Sequence, residues 1–151
     1  MKRKYEDSLF YQINSCSRYF NFIFEQLIKQ LDIGISAIEH LALSIIIDTE
    51  DCCQRDLARI ILKDRASAGK IALSLEKKGY IKVSLQTKNN RPVKILTPTK
   101  KGANIHEKVY KTLHPFIKKI EDEVSTKVIE DTIQTLKHFK KVVKNTITSN
   151  I

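Results

Sequence analysis

Apolar residues recur at helical spacing from about Ser8 to Leu31, at Phe10, Ile13, Cys16, Phe20, Ile23, Phe24, Leu27 and Leu31, and predict a long amphipathic helix. Seven of the chain's eleven aromatics precede residue 25, and Tyr19 and Phe22 fall beside the main stripe, so more than one side of this helix wants cover. A partner helix and a broad core face both answer that need. Gly34 is placed to stop the helix. Ser36-Ala37-Ile38-Glu39 then has the form of a capping box and opens a second helix to near Asp48, with Ile38, Leu41, Ala42, Ile45 and Ile46 expected inward. A short third helix, Gln54 to Leu62, carries Leu57, Ala58 and Ile61 on one face. Asp64 is the expected N-cap of a fourth. There Ala68, Ile71, Ala72 and Leu75 fall at core spacing, leaving Arg65, Ala66, Ser67, Lys70, Ser74 and Lys77 outward.

Beyond Gly79, which suits a helix end, the period changes from helical to alternating. Ile81, Val83 and Leu85 alternate with Lys82 and Ser84, and Val93 and Ile95 flank Lys94, which reads as two strands. Gln86 to Pro92 is the expected polar loop between them. Thr99 caps another helix, from Lys100 to about Glu123, with a kink expected at Pro115. Ser125 caps a last helix with a wide apolar face, expected to fray from Thr146. The fold class is therefore mainly α with a small β-wing. Two short helices joined by a tight turn form a helix-turn-helix, whose second helix can lie in a DNA major groove.

Charge sharpens this picture. The 151 residues carry a formal net charge of +10 with a pI near 9.5, which points to a polyanionic partner. Between Lys63 and Arg91 eight basic residues face two acidic ones, so +6 of the charge lies in the second helix of the motif and the hairpin. Ser67 and Lys70 are placed to reach base edges or phosphates, and a basic hairpin tip suits a minor groove. No stretch approaches the ~18 apolar residues of a membrane span, and Met1-Lys2-Arg3-Lys4 is not followed by the apolar run of a secretory signal. Three cysteines, two of them adjacent, make a poor disulfide framework and fit a reduced cytoplasm. His40, His106, His114 and His138 lack metal-ligand spacing and read as scattered surface or interface residues; no metal or cofactor site is expected. No phosphate loop and no nucleophile–base pair speaks for an enzyme.

Taken together, Gln54-Arg55-Asp56-Leu57-Ala58, Asp64-Arg65-Ala66-Ser67, Leu75-Glu76-Lys77-Lys78-Gly79-Tyr80-Ile81, Asn90-Arg91 and Thr99-Lys100-Lys101-Gly102 resemble the MarR family of bacterial winged-helix repressors. The resemblance implies dimerisation helices at residues 1–34 and 99–151 flanking a winged helix-turn-helix domain at 35–98. It also implies a homodimer on a pseudo-palindromic double-stranded DNA operator, released by a small aromatic or lipophilic ligand. Carried over by position, Ala66, Ser67 and Lys70 face bases, Arg65 and Gln54 phosphates, and Arg91 the minor groove beside Asn90. Pro92 stands where the family's wing commonly has a second Arg, with Lys88 the substitute. One branch of the family senses peroxide through a first-helix cysteine; the matching position here is Phe10, and Cys16 reads as a small core residue. Cys53, at the N-cap of the third helix where Ser or Thr is usual, is the residue for an alternative redox-sensing reading. The other alternative is a non-specific basic nucleic-acid or scaffold protein.

Overall fold

A computed structural model describes residues 4–88 and 90–149 of the chain. After a 3₁₀ turn at Tyr5–Asp7 come α1 (Leu9–Leu31), α2 (Ala37–Asp48), α3 (Gln54–Ile60), α4 (Arg65–Lys77), β1 (Ile81–Lys88), β2 (Arg91–Pro98), α5 (Lys100–Glu123) and α6 (Thr126–Ser149). The chain forms two compact units, Met1–Thr112 and Leu113–Ile151, with the boundary inside α5.

In the first unit α2, α3 and α4 pack on one another and on the antiparallel β1–β2 hairpin. Their shared core is Ala42, Leu43 and Ile46 of α2, Leu57 and Ala58 of α3, Ala68, Ala72 and Leu75 of α4, and Ile81, Ile95 and Leu96 of the hairpin. The segment before α3 joins the sheet: the Leu96 amide donates to the Cys52 carbonyl at 2.8 Å, and Cys53 bridges to Ile95. That pairing buries both cysteines and ties the helix-turn-helix to the wing.

Local chemistry sets the helix ends. Ser8 caps α1 by accepting from the Tyr11 amide, and the Ser36–Glu39 box is complete in both directions. At the end of α4 the Tyr80 amide reaches the Leu75 carbonyl and the Gly79 amide the Glu76 carbonyl, a Schellman arrangement made possible by Gly79 at φ +75°. Thr99 accepts from the Gly102 amide through Oγ1, and the same hydroxyl donates to the Gly79 carbonyl.

Several expectations change. Asp32, at φ +42°, is the left-handed residue that ends α1, two residues before Gly34. On α2 the buried face is Glu39, His40, Ala42, Leu43 and Ile46, while Ile38 and Leu41 are exposed, because Glu39 and His40 find polar and aromatic partners that let them turn inward. The strands extend to Lys88 and from Arg91, so most of the expected loop is ladder, and Leu85 is 73% exposed because the wing outruns the core that covers Ile81. α6 holds to Ser149, past the expected fraying point at Thr146. In the second unit α6 buries none of its described residues, leaving Val128, Ile133, Leu136, Val142 and Val143 exposed. No helix among the described residues is long and apolar enough to cross a membrane.

Candidate nucleic-acid interface

The first turn of α4 is prepared by Asp64, whose two carboxylate oxygens accept from the Ser67 amide at 2.8 Å and the Ser67 hydroxyl at 2.7 Å. Those bonds, the hydroxyl's foremost, hold the Asp64 carboxyl below its ordinary range. Arg65, Ala66 and Lys70 stand exposed on this helix and Ser67 is half-buried. Ser67 commits its proton to Asp64, so toward a base it offers lone pairs. Small side chains at the helix start let the backbone come close to a groove wall, while Lys70 supplies reach and charge.

Gln54, expected to meet phosphate, has a second task. Its side-chain amide donates to the Arg65 carbonyl at 3.2 Å, tying the start of α3 to the start of α4. Gly69 makes room for it: a Cβ there would lie 2.7 Å from Gln54 Nε2. The glycine in the helix interior is thus explained by contact with the preceding helix.

Between the two helix starts and β2 lies a crevice of about 370 Å³, lined by Cys53, Gln54, Arg55, Arg65, Arg91, Pro92, Val93 and Lys94. Four cations and no carboxylate line it, a composition suited to an oxyanion of a nucleic-acid backbone. It gathers the expected Gln54, Arg65 and Arg91, and adds Arg55 and Lys94. Sequence spacing alone did not single these two out. Arg55 is the second residue of α3, and Lys94 is the outward partner in the Val93–Ile95 alternation, so each was legible as exposed but not as a neighbour of Arg65. At the wing tip, Lys88 pairs with Arg91 in the ladder, and Asn90 takes the left-handed region at φ +57°, which asparagine tolerates better than most residues. The Lys88 side chain lies outside the described residues, so its role as a substitute contact stays an expectation.

Of the cysteines, Cys53 takes its expected place at the N-cap of α3 and Cys16 does not take its expected core position. Cys16 is exposed on α1 instead of filling a core position. Cys53 is 5% exposed, caps α3 without a side-chain bond to its amides, and donates its thiol to Asp56 Oδ2 at 2.8 Å. That bond leads the causes that hold the Asp56 carboxyl down; burial comes next and opposes it, and Arg59 and then Arg55 add to the lowering. Burial, with Asp56 and Cys53 nearby, pushes the Cys52 thiol up to about 11, the opposite of a reactive thiolate.

Behind α4 lie two adjacent buried titratable residues of α2. Glu39 Oε1 accepts from Ser74 Oγ at 2.6 Å and Lys78 Nζ at 2.7 Å, and Oε2 accepts from the Ser36 amide and Lys78 Nζ, each at 2.7 Å. Burial alone would raise this carboxyl; the bonds from Lys78, Ser74 and Ser36 outweigh it and hold it at about 2. His40 packs against Phe24 of α1 and stacks on His106 of α5, with ring centroids 5.2 Å apart and planes 12° apart. Its Nε2 is buried without a hydrogen-bond partner. Burial and then the neighbouring His106 push its pKa down to about 4, despite a backbone bond that acts the other way. Two of the histidines read as scattered in the sequence, the buried His40 and the half-buried His106, are therefore stacked on one another. Among the described residues no group of three or more His, Cys, Asp or Glu side chains is placed to hold a metal ion.

Comparison with solved structures decides the fold. A MarR protein from Peptoclostridium difficile superposes with a TM-score of 0.77 at 23% identity, covering 96% of this chain and 94% of that one. The fold is that of the MarR family. The DNA complex of Staphylococcus aureus MepR matches with a TM-score of 0.76 at 16% identity, over 93% of this chain and 99% of that one. Bordetella bronchiseptica BpsR, described for regulation of its DNA binding by 6-hydroxynicotinic acid, matches with the same TM-score and identity over 93% and 98%. No protein-family model and no curated protein matches the sequence. The MarR fold accounts for the winged helix-turn-helix, while the cationic crevice and the bonds around Glu39 belong to this chain's own residues.

Proposed function

We propose that this protein is a sequence-specific DNA-binding transcriptional regulator, a homodimeric repressor of the MarR type. The observation that carries the reading is the cation-lined crevice between the wing and an α4 whose first turns are exposed. Arg55, Arg65, Arg91 and Lys94 are placed to hold backbone phosphate while Ala66, Ser67 and Lys70 face base edges in the major groove. Phosphate contacts position the helix and base contacts specify the site. MepR, a structural neighbour, is known in complex with DNA, which fits the same use of the fold.

The dimer reading is supported by apolar surface. On α1, Phe10, Tyr19, Phe20 and Phe22 are each more than half exposed, and α6 presents its own uncovered stripe. A second copy covers such faces at residues 1–34 and 99–151, leaving 35–98 to DNA, with the two recognition helices about 34–36 Å apart on one face of a pseudo-palindromic duplex. Relief by a small lipophilic or aromatic molecule is part of the same reading, supported by the ligand-regulated BpsR and by a cavity of about 450 Å³ walled by Ile28, Ile35 and Ile38 beside Glu39 and Lys78. The redox alternative at Cys53 has less support, since a buried thiol donating to a carboxylate is poorly exposed to an oxidant.

Selection from random duplexes followed by footprinting tests the reading. A regulator prefers its selected site at least ~10³-fold over random DNA at physiological salt. Arg91→Ala is expected to weaken both classes and to reduce the salt slope by about 1. Equal affinity for every duplex would overturn specific regulation and leave a non-specific basic binder.

A further inference from the structure

The bonds around Glu39 reach beyond α2, and they end on the helix proposed to read DNA. Ser67, Lys70, Ser74 and Lys78 follow one another at i, i+3, i+7 and i+11 and therefore share one face of α4. The first half of that face is open, and the second half is taken up by Glu39. One carboxylate, only 7% exposed, receives Ser74 at one oxygen and Lys78 at both, while its second oxygen also closes the capping box through the Ser36 amide. The start of α2 and the last turn of α4 are thus joined through a single side chain. At the other end of α4, Gln54 holds the Arg65 carbonyl. We propose that Glu39 is a positioning residue for DNA recognition, setting the rotation and tilt of α4 so that Ser67 and Lys70 meet base edges in register.

Helix geometry shows why the attachment matters. Side-chain tips stand roughly 5–6 Å from the helix axis, so a rotation of about 20° moves them by about 2 Å. A hydrogen bond to a base edge tolerates only about half an ångström. Apolar packing through Ala68, Ala72 and Leu75 holds α4 against the core, but three such small or flexible contacts leave rotation less defined than three charge-assisted bonds to one carboxylate do. Removing the charge on Glu39 should therefore cost recognition more than it costs folding. Phosphate attraction, which depends on cations elsewhere, should survive.

The inference rests on the DNA-binding reading, and the test separates the two. Binding of a selected duplex and of a random duplex is measured by fluorescence anisotropy for wild type, Glu39→Gln, Lys78→Met and Lys78→Arg, well below each variant's melting temperature. Glutamine at 39 can still accept from the Ser36 amide, so the helix start is kept while the ion pair is lost. The expected result is an affinity for the selected duplex at least about tenfold weaker in Glu39→Gln and Lys78→Met, with random-duplex affinity within about twofold of wild type. Lys78→Arg, whose guanidinium can meet both carboxylate oxygens, should restore discrimination. A wild-type ratio of selected to random binding in Glu39→Gln overturns the inference alone, and so does a parallel fall in both affinities. A wild-type protein that prefers no duplex overturns the DNA-binding reading and the inference with it.

Discussion

The core beneath the helix-turn-helix and the face of α6 are both built from regularly spaced aliphatic residues, yet they end in opposite states. Leu43, Ile46, Leu57, Leu75 and Ile81 are almost fully buried, whereas Val128, Ile133, Leu136, Val142 and Val143 stay 43–52% exposed. The difference lies in what the chain supplies to cover them. α2, α3, α4 and the hairpin each offer a face to the others over short connections, so one chain closes that core. α6 has a period but buries none of its described residues, and α1 repeats the point with only Ile28 buried among its 23 residues. Periodicity states that a face is apolar; it does not state whose surface completes it.

The sharpest way to test this contrast is to cut into each side of it. Leu43→Ala is expected to lower the unfolding free energy by about 2–5 kcal/mol in urea titration, because its side chain is fully buried and its removal leaves a cavity. A loss below about 1 kcal/mol would mean the core is looser than its burial. Leu136→Glu should leave secondary structure intact and instead shift sedimentation from dimer to monomer, with operator affinity falling by about 10² as the linked second half-site is lost. Unchanged mass and affinity would show that the α6 face serves no self-association.

A smaller effect distinguishes the two polar residues buried within the closed core. His40 titrates at about 4 when folded and at its ordinary 6.5 when unfolded, so its contribution is fully present above pH 6.5 and is lost as pH falls toward 4. Within that window stability should drop by up to about 1.4 kcal/mol per pH unit, and His40→Phe should flatten it. Glu39 acts lower: its contribution is present above pH 4.5 and lost as pH falls toward 2. Thermal melts from pH 7 to about 2 read both windows, and a slope between 6.5 and 4.5 unaltered in His40→Phe would assign it elsewhere. The smallest change expected is in Gly69→Ala. A gain of about 1 kcal/mol in helix propensity opposes displacement of the Gln54 amide, so melting should move little while operator affinity falls a few-fold. Improved binding would show that Gln54 does not hold α4.

Much of the architecture was legible because it depends on local chemistry. Ser36 with Glu39, Asp64, Gly79 and Thr99 each act within four residues of where the sequence places them, and the inward positions Ala68, Ala72 and Leu75 follow from spacing alone. Misreadings occur where a distant partner changes the local preference. Glu39 and His40 turn inward on α2 because Lys78 and Ser74 arrive from α4 and His106 from α5, across separations no periodicity encodes. The same limit hid Arg55 and Lys94, ordinary exposed cations until the hairpin folds back over the start of α3. The wing's length escaped because its outer half has no buried face, and a strand without a core has no alternation that polar residues must respect.

Tyr80 gathers several of these threads at one point. Its hydroxyl donates to the Ile33 carbonyl on the link between α1 and α2, and its ring lies under the Lys101 ammonium. Its carbonyl accepts from both the amide and the hydroxyl of Thr99. Gly102 rests so close to that carbonyl that any added Cβ would fall on it. This leaves no slack between the end of α4 and the first turn of α5, and no sliding surface on which one could creep past the other. The joint has the make-up of a weld: the end of α4 and the first turn of α5 share their hydrogen bonds and leave no room between them for a side chain.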